Sequence, residues 1–141
     1  MCHSSILRDF YTTIWEQGRI DELDRFFTED IRADGWFPGM PVGSADFAVL
    51  VLTIRSMVTD IRFTIERTVT QDDWISAYIR VDCFCGRRGV ELRITGQLMA
   101  RFEGNRMAEA YNHMDMITYF VQLGLLPDDI TFRMLNGCEA A

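Results

Sequence analysis

Two residues near the end of this sequence, His113 and Asp115, have the types and spacing needed for acid–base chemistry. Side chains two positions apart in a strand share a face and lie roughly 6.6 Å apart, at about 3.3 Å of rise per residue, so both can reach one small ligand. Histidine titrates near neutrality, and an aspartate in an apolar pocket has its pKa raised towards that range. Tyr111 and Glu109 share the same face, and a tyrosine can donate to a developing enolate oxygen. We therefore predict that His113 and Asp115 move a proton next to a carbonyl group while Tyr111 stabilises the enolate.

Each of these three residues also has a structural alternative. Asp115 directly precedes a predicted helix and can cap its first turn, a role that is compatible with catalysis. His113 can be a hydrogen-bonded histidine of the core or of an interface, and Tyr111 can serve packing alone. The sequence leaves these alternatives open.

A second set of candidates belongs to a predicted pocket. Most are aromatic or apolar, and they come from the first predicted helix and from the segment DGWFPGM. Asp34 serves either a turn with Gly35 or the mouth of the pocket. The aromatic residues either contact a flat ligand or pack in the core. Besides Tyr111, the predicted pocket residues are Tyr11, Trp15, Asp34, Trp36, Phe37 and Met40.

The composition excludes several classes of catalytic site. All 14 basic residues are arginine, so a Schiff-base lysine, a pyridoxal phosphate lysine and a P-loop lysine are excluded. The sequence has two histidines, and one of them, His3, lies at the terminus, so a multi-histidine zinc site is not expected. We predict neither a metal nor an organic cofactor.

The net charge of the chain bears on its binding partners, and the spacing of its cysteines bears on the cellular compartment. Acidic residues (21) outnumber basic ones (14), and this net charge of −7 argues against a nucleic-acid partner. The four cysteines form no C-x-x-C pair, and Cys83 and Cys85 share one strand face, where they cannot easily form a disulfide. No apolar run is long enough to span a membrane, and the first residues lack the pattern of a secretory signal. We expect a cytoplasmic protein with reduced thiols and no membrane partner.

Hydrophobic periodicity changes from helical to strand-like along the chain. The first half predicts a helix over about 4–17, a short helix from 21, a brief strand over 29–33, a loop over 34–43 and a helix over 44–57. Ser4 or Ser5, Asp21 and Ser44 are the predicted helix caps. The second half predicts strands over 61–70, 74–85, 90–102 and 106–115, a helix over 116–123 and a short helix capped by Asp128. Helices followed by an antiparallel meander indicate a single α+β domain over residues 1–141.

Five segments of the chain resemble, in this order, the SnoaL-like polyketide cyclases of the nuclear transport factor 2-like superfamily. They are FYTTIWEQGRIDELDRFFTEDI, PGMPVG, DIRFTIE, RFEGNRMAEAYNHMD and VQLGLL, and the resemblance covers about residues 8–126. It implies a cystatin-like α+β barrel, in which a cone-shaped, curved antiparallel sheet wraps around three N-terminal helices, with an apolar pocket and a short C-terminal helix. The motifs are more specific for this fold than for an activity, because the fold hosts several activities.

The resemblance also implies a reaction. In these cyclases an aspartate at the end of the last long strand is the general acid–base of an intramolecular aldol condensation, without metal or cofactor, and its position here is Asp115. Asp34 stands where a histidine often precedes the loop. Asn112 stands where the related epoxide-hydrolase branch has its catalytic aspartate, so epoxide hydrolysis is not expected. The turn at residues 85–89 is shorter than the loop of many relatives, which predicts either a more open pocket or a vestigial one.

The predicted function is therefore cofactor-independent acid–base chemistry, an aldol-type cyclisation or an isomerisation, on a small apolar carbonyl compound. Two alternatives stay open: a non-catalytic binding protein for a small apolar ligand, and a dimeric structural module without an active site. A cavity of about 300 Å³ or more would suit a ligand, whereas a cone filled by side chains would favour the module.

The outer face of the predicted sheet has the composition of an interface. Arginines and acids alternate there with aromatic residues and methionine, a mixture typical of protein interfaces. The resembling family often dimerises through this face. We predict a homodimer through Trp74, Tyr78, Arg80, Phe84, Arg93 and Met99.

Overall fold

A computed structural model describes residues 2–138 as a six-stranded sheet packed against helices. The helices are α1 (His3–Phe10), α2 (Leu23–Phe26), α3 (Ser44–Met57), α4 (Met116–Gln122) and α5 (Ile130–Leu135). A π-helical segment (Tyr11–Glu16) continues α1, and a 3₁₀ turn (Ile20–Glu22) precedes α2. The strands are β1 (Phe27–Phe37), β2 (Met40–Val42), β3 (Thr59–Gln71), β4 (Trp74–Cys85), β5 (Val90–Glu103) and β6 (Arg106–Met114). The predicted α+β class is confirmed.

The first helical stretch is apolar on the side that meets the sheet. Ile6, Leu7, Phe10 and Ile14 are all buried, at the i, i+1, i+4 and i+8 positions of one helical face. The prediction of a regular α-helix to residue 17 is wrong for its last turn and a half, which is wound as a π-helix and ends at Gly18 with a φ of +71°. Gly18 ends the helix there because glycine adopts positive φ at little cost.

Most of the predicted helix caps are wrong. Cys2 precedes α1, and its Sγ lies 3.3 and 3.0 Å from the hydroxyls of Ser4 and Ser5. Asp21 lies inside the 3₁₀ turn, and the backbone of Gly43 begins α3 without a side-chain cap. Asp129, one residue later than predicted, precedes α5. Turn preferences place a helix start only to within a residue or two.

The sheet is curved and open, with the strand order β2-β1-β6-β5-β4-β3. The alternation of apolar and polar residues is confirmed most clearly in β4 and β5, which pair without a bulge from Trp74 opposite Arg101 to Cys85 opposite Val90. One side, the inner face, carries buried residues of β4 and packs against the helices: Ile75, Ala77, Ile79, Val81, Cys83 and Cys85. The other side is called the outer face. It carries the intervening residues, which include Trp74, Tyr78 and Phe84.

Strand β1 is longer than predicted and pairs in parallel with β6. The segment predicted as a loop contributes the end of β1 and all of β2, because Ala33 and Phe37 pair with Val42 and Met40. Gly35, with a φ of +97°, lies against the backbone of Asn112 where a Cβ atom would collide with the carbonyl. Glycine is therefore required for β1 to approach β6 at this point.

The edge strand β3 is tied to the first helical stretch through Phe63. The Phe63 backbone N–H donates to Glu16 Oε2 at 2.8 Å, and its carbonyl accepts from Arg8 Nη1 at 2.6 Å. Tyr11 stacks on the Phe63 ring with centroids 4.3 Å apart. These side chains use backbone groups that an open edge would expose to another strand.

One continuous core lies between the inner face and the helices. It contains an aromatic cluster in which each ring centroid lies within about 6 Å of at least one other, formed by Phe10, Phe26, Phe27, Phe47, Trp15 and Phe63. Within residues 2–138 no helix combines the length and the apolar character needed to cross a bilayer.

Candidate functional site

Of the three residues predicted to do acid–base chemistry, Tyr111 and His113 lie on the outer face of the sheet, and Asp115 directly follows β6. Tyr111, His113 and Asp115 are exposed, whereas the intervening Asn112 and Met114 are half-buried and contribute to the inner cavities. These three side chains are exposed to solvent in the free protein, and their placement in an apolar pocket stays a prediction. The helices cover the opposite side of β6, and from Glu109 onwards the odd-numbered residues of this strand turn outwards, whereas Met107, before the register shift, is buried.

Asp115 is the N-cap of α4. Its Oδ1 accepts from the Thr118 backbone N–H at 3.1 Å, and its Oδ2 accepts from the Thr118 hydroxyl at 2.6 Å. The Asp115 backbone N–H donates to the Thr95 carbonyl at 3.1 Å, which anchors the start of the helix to β5. The structural alternative for Asp115 is therefore present in the structure, and its catalytic role stays a prediction.

Asp34 and Tyr111 are also together on the outer face. They are direct partners in the parallel pairing of β1 with β6. Tyr111 stacks on Trp74, with ring centroids 6.3 Å apart. Neither Asp34 nor Tyr111 is among the lining residues of the cavities described below, and their assignment to a pocket stays a prediction.

A small apolar cavity, the inner cavity, lies between the sheet and the helices. Its volume is about 40 Å³. Trp15 and Trp36, both predicted pocket residues, line it together with Cys83, Met114, Met116 and Tyr119. A neighbouring cavity of about 20 Å³ touches Tyr11, Trp15 and Asn112. The interior is thus mostly filled by side chains, and the inner cavity has room for about three water molecules at roughly 10–15 Å³ each.

A much larger groove, the entrance groove, opens to the surface beside the inner cavity. Its volume is about 710 Å³, and it runs between the β1–β2 hairpin, α3 and the start of α4. Phe37 and Met40, the remaining predicted pocket residues, line it with Val49, Leu50 and Met57. Trp36, Ile54, Met116 and Tyr119 line both spaces, so the groove and the inner cavity adjoin each other.

Most of the residues that line the inner cavity and the entrance groove are uncharged. No carboxylate or histidine lines the inner cavity among the described residues, and Asp46 is the one carboxylate along the entrance groove in that part of the chain. Burial raises the pKa of the Cys83 thiol to about 11, with the nearby Asp82 adding to the shift, so Cys83 stays protonated at neutral pH. Burial likewise raises the pKa of Tyr119 to about 12 and raises the pKa of Tyr11 further.

Two buried polar atoms, each on a residue that lines the inner cavity, have no hydrogen-bond partner among the described residues. They are Trp36 Nε1 and Tyr119 Oη. A buried donor without a partner costs about 1–3 kcal/mol, and most buried polar atoms of proteins are satisfied. Residues 2–138 contain no cluster of histidine, cysteine or acidic side chains with the geometry to hold a metal ion.

Tyr119 is the site residue that the sequence analysis missed. It lies in α4, where Met116, Tyr119, Phe120 and Leu123 recur at i, i+3, i+4 and i+7, the spacing of a buried helical face. That spacing was the available signal. It predicts that Tyr119 faces the core, but it does not predict that the Tyr119 hydroxyl stays unpartnered.

The short turn at residues 86–89 holds α4 in place. Arg87 Nη2 donates to the Leu123 carbonyl at 2.8 Å, and Arg88 Nη1 donates to the Gln122 carbonyl at 2.9 Å. The Gln122 side chain in turn exchanges two hydrogen bonds with the Arg93 backbone at 3.0 and 3.1 Å. The turn is therefore part of the support for the helix that carries Met116 and Tyr119.

Comparison with solved structures shows the same fold in several proteins. A SnoaL-like polyketide cyclase from Agrobacterium tumefaciens aligns with a TM-score of 0.71 and 18% identity, over 88% of this chain and 99% of that one. Wild-type IdmH from Streptomyces antibioticus aligns with a TM-score of 0.75 and 17% identity, over 88% of this chain and 99% of that one. TsrD from Streptomyces laurentii aligns with a TM-score of 0.74 and 17% identity, over 87% and 95%.

Comparison of the sequence with family profiles identifies the family of this chain. A search of curated proteins gives no match. The profile of the SnoaL-like polyketide cyclases, in contrast, matches residues 5–123, which is most of the chain and includes every predicted site residue. Together with the fold of a curved, open sheet around N-terminal helices, this match shows that the chain belongs to the SnoaL-like polyketide cyclase family.

Proposed function

We propose that this chain binds a small, largely apolar compound in the entrance groove, with one end of the compound in the inner cavity. The observation that carries the proposal is the groove itself. Its volume of about 710 Å³ lies within the range of about 300–1,000 Å³ found for ligand pockets, and its walls are mainly aromatic residues, methionine and branched aliphatic residues.

The size of the two spaces supports this mode of binding. The inner cavity, at about 40 Å³, holds a substituent but no ring system. The groove accommodates a ring system, and part of its wall is exposed when the groove is empty, since Phe37, Met40 and Val49 are 41%, 58% and 62% exposed. Covering such surface removes apolar area from water at about 25 cal/mol per Å², which favours an apolar occupant.

Equilibrium dialysis of the chain against 2-acetylnaphthalene, a flat ketone of suitable size, tests the proposal with a pair of matched variants. Val49→Glu puts a charge into the groove at an exposed position. Val69→Glu makes the same change at a position in β3 that is 71% exposed and does not line the groove. We expect Val49→Glu to weaken binding at least tenfold and Val69→Glu to leave it unchanged. Absence of binding by the parent chain would favour the structural module.

Cyclase-type catalysis is the second candidate, and membership of the family favours it. The predicted mechanism uses Asp115 and His113 as acid–base groups and Tyr111 for the enolate. None of the three is among the residues that line the groove, where Asp46 is the available carboxylate among the described lining residues. A catalytic site in the groove would therefore depend on Asp46.

Deuterium exchange separates these two catalytic arrangements. Removal of a proton from the methyl group of 2-acetylnaphthalene gives an enolate, and its return from D₂O leaves deuterium that NMR detects. We expect acid–base chemistry in the groove to accelerate exchange and Asp46→Asn to abolish the acceleration. Loss of acceleration in Asp115→Asn alone would support the outer-face mechanism, and no acceleration in the parent chain would leave binding as the function.

A further inference from the structure

Two buried hydrogen-bond donors belong to residues in the walls of both the inner cavity and the entrance groove. Trp36 Nε1 and Tyr119 Oη are buried without a hydrogen-bond partner among residues 2–138, and both side chains line the inner cavity and the entrance groove. Tyr119 is only 5% exposed. Since buried polar atoms are almost always satisfied in folded proteins, these two point to an acceptor that arrives from outside the chain.

A buried water is held by two to four polar partners, and the two donors supply only the minimum of two. The other residues that line the inner cavity are aliphatic and aromatic, together with Met114, Met116 and Cys83. An oxygen attached to an apolar body satisfies the donors and at the same time covers this wall, which a water molecule does not do.

The chemistry of the two donors selects the kind of oxygen. An indole N–H can donate but cannot accept, and the Tyr119 hydroxyl stays protonated because burial raises its pKa to about 12. A carbonyl oxygen has two lone pairs and no proton, so it matches two donors. A carboxylate would instead carry a charge into a cavity where no described residue is cationic.

Flexible side chains give access to the donors. Both polar atoms are closed off from solvent in the free protein. Met114 and Met116, which line the cavity beside them, have unbranched side chains that change rotamer at low cost. A substituent that enters the cavity can therefore displace methionine groups and reach the donors without movement of the backbone.

We propose that Tyr119 Oη and Trp36 Nε1 donate hydrogen bonds to the carbonyl oxygen of the compound bound in the groove and so make the site selective for a carbonyl over its hydrocarbon counterpart. This inference rests on the proposed binding function. It assigns specificity to two residues of the inner wall and separates that role from the exposed residues Tyr111, His113 and Asp115.

The test compares two ligands of the same shape in equilibrium dialysis. 2-Acetylnaphthalene carries the carbonyl oxygen, and 2-isopropenylnaphthalene carries a CH₂ group in its place. We expect the chain to bind the ketone at least tenfold more tightly, relative to the partition of each compound into octanol. Tyr119→Phe and Trp36→Phe should each reduce this preference several-fold, while Tyr78→Phe, which removes an exposed hydroxyl from the outer face, should not change it.

The outcomes separate this inference from the function on which it rests. Equal binding of both compounds by the parent chain would overturn the selectivity and leave the binding function intact. Binding of neither would overturn both. A preference that survives in both Tyr119→Phe and Trp36→Phe would show that other groups hold the oxygen.

The melting temperature tests whether the Tyr119 hydroxyl already has a hydrogen-bond partner in the free protein. If the Tyr119 hydroxyl is unpartnered in the free protein, Tyr119→Phe should leave the melting temperature unchanged or raise it. A clear fall would show that the hydroxyl already has a partner and would contradict the proposal.

Discussion

Asp115 shows how one side chain can satisfy a functional motif and a structural need at the same position. Its two carboxylate oxygens accept from the backbone and the hydroxyl of Thr118, and these bonds begin α4. The aspartate position shared with the resembling cyclases is thus also the position at which this helix needs a cap. A substitution that removes the carboxylate but keeps a capping side chain separates the catalytic role from the capping role.

We expect Asp115→Ala to destabilise the protein by about 1 kcal/mol, because an N-cap is lost. At this chain length that corresponds to a fall in melting temperature of roughly 3–5 °C. Asp115→Asn should be nearly neutral, since asparagine caps equally well. Asp128→Ala, at an exposed aspartate that is not an N-cap, is the matched control. Equal melting temperatures for Asp115→Ala and the parent would contradict the capping role.

At the scale of elements, α4 depends on contacts from a turn that is distant in sequence. The arginines of residues 86–89 bind the last carbonyls of α4, where basic groups also favour the negative end of the helix dipole. The same helix places Met116 and Tyr119 in the walls of both the inner cavity and the entrance groove. The short turn therefore supports the candidate site from its far side.

We expect the double variant Arg87→Ala and Arg88→Ala to lower stability by roughly 1–2 kcal/mol, because two hydrogen bonds to helix carbonyls are lost. Binding of 2-acetylnaphthalene should weaken as well, since α4 is less firmly placed. Arg106→Ala, at an exposed turn arginine on β6, is the control and should change neither quantity. Thermal unfolding and equilibrium dialysis measure the two effects. A double variant with parental stability and affinity would show that α4 is held by its apolar face alone.

The whole molecule should lose stability in alkali. Burial raises the pKa of Cys83 from 9.0 to about 11 and that of Tyr119 from 10.0 to about 12, and it also raises the pKa of Tyr11. As the pH passes the ordinary values, the unfolded chain releases protons that the folded chain retains, so the free energy of unfolding decreases. The loss should therefore run from about pH 9 to pH 12.

The urea midpoint measured across this pH range checks the prediction. Tyr119→Phe should make the decrease shallower above about pH 10, because one of the titrating groups is absent. Tyr78→Phe removes a tyrosine that is 40% exposed and should leave the slope as it was. A midpoint that is constant from neutral pH to about pH 11 would show that these groups ionise freely in the folded chain.

Association is the other property of the whole molecule, and we propose a homodimer through the outer face. Tyr78 and Met99 are 40% and 47% exposed at its centre. The arginines around them are paired within the face, with Arg80 bound to Glu66 and Asp82 at 2.8 and 3.1 Å and with Arg93 bound to Asp82 at 2.6 Å. A second copy therefore meets an apolar centre with locally neutralised charge, although the chain as a whole carries −7.

Size-exclusion chromatography with light scattering tests this dimer at micromolar concentration. We expect the mass of two chains for the parent protein and the mass of one chain for Met99→Glu, which places a charge at the centre of the face. Leu135→Glu makes a comparable change at an 81% exposed position in α5 and should leave the dimer intact. A parent protein with the mass of one chain would contradict the prediction.

The sequence alone determined the α+β class and the positions of the long strands. Strict alternation in residues 74–85 and 90–102 needs no tertiary information, because a strand places every second residue on one face. The end of β1 and strand β2 were missed because the segment is rich in proline and glycine. Ala33 and Asp34 of β1 pair with Ala110 and Tyr111 of β6, far along the chain, whereas β2 pairs with β1 in a short hairpin. The pairing with β6 leaves no local signal.

The candidate site, too, could be predicted from the sequence only in part. Alternation showed that Tyr111, His113 and Asp115 share a face, and motif order identified the family, but neither indicates which face of β6 the helices cover. The packing of the helices on the sheet determines which face is covered. It leaves Tyr111, His113 and Asp115 exposed to solvent and turns Asn112 and Met114 towards the core. The groove and the unpartnered donors of Trp36 and Tyr119 arise where β1, α3 and α4 meet. A space between elements is determined by their relative placement, which only the tertiary structure contains.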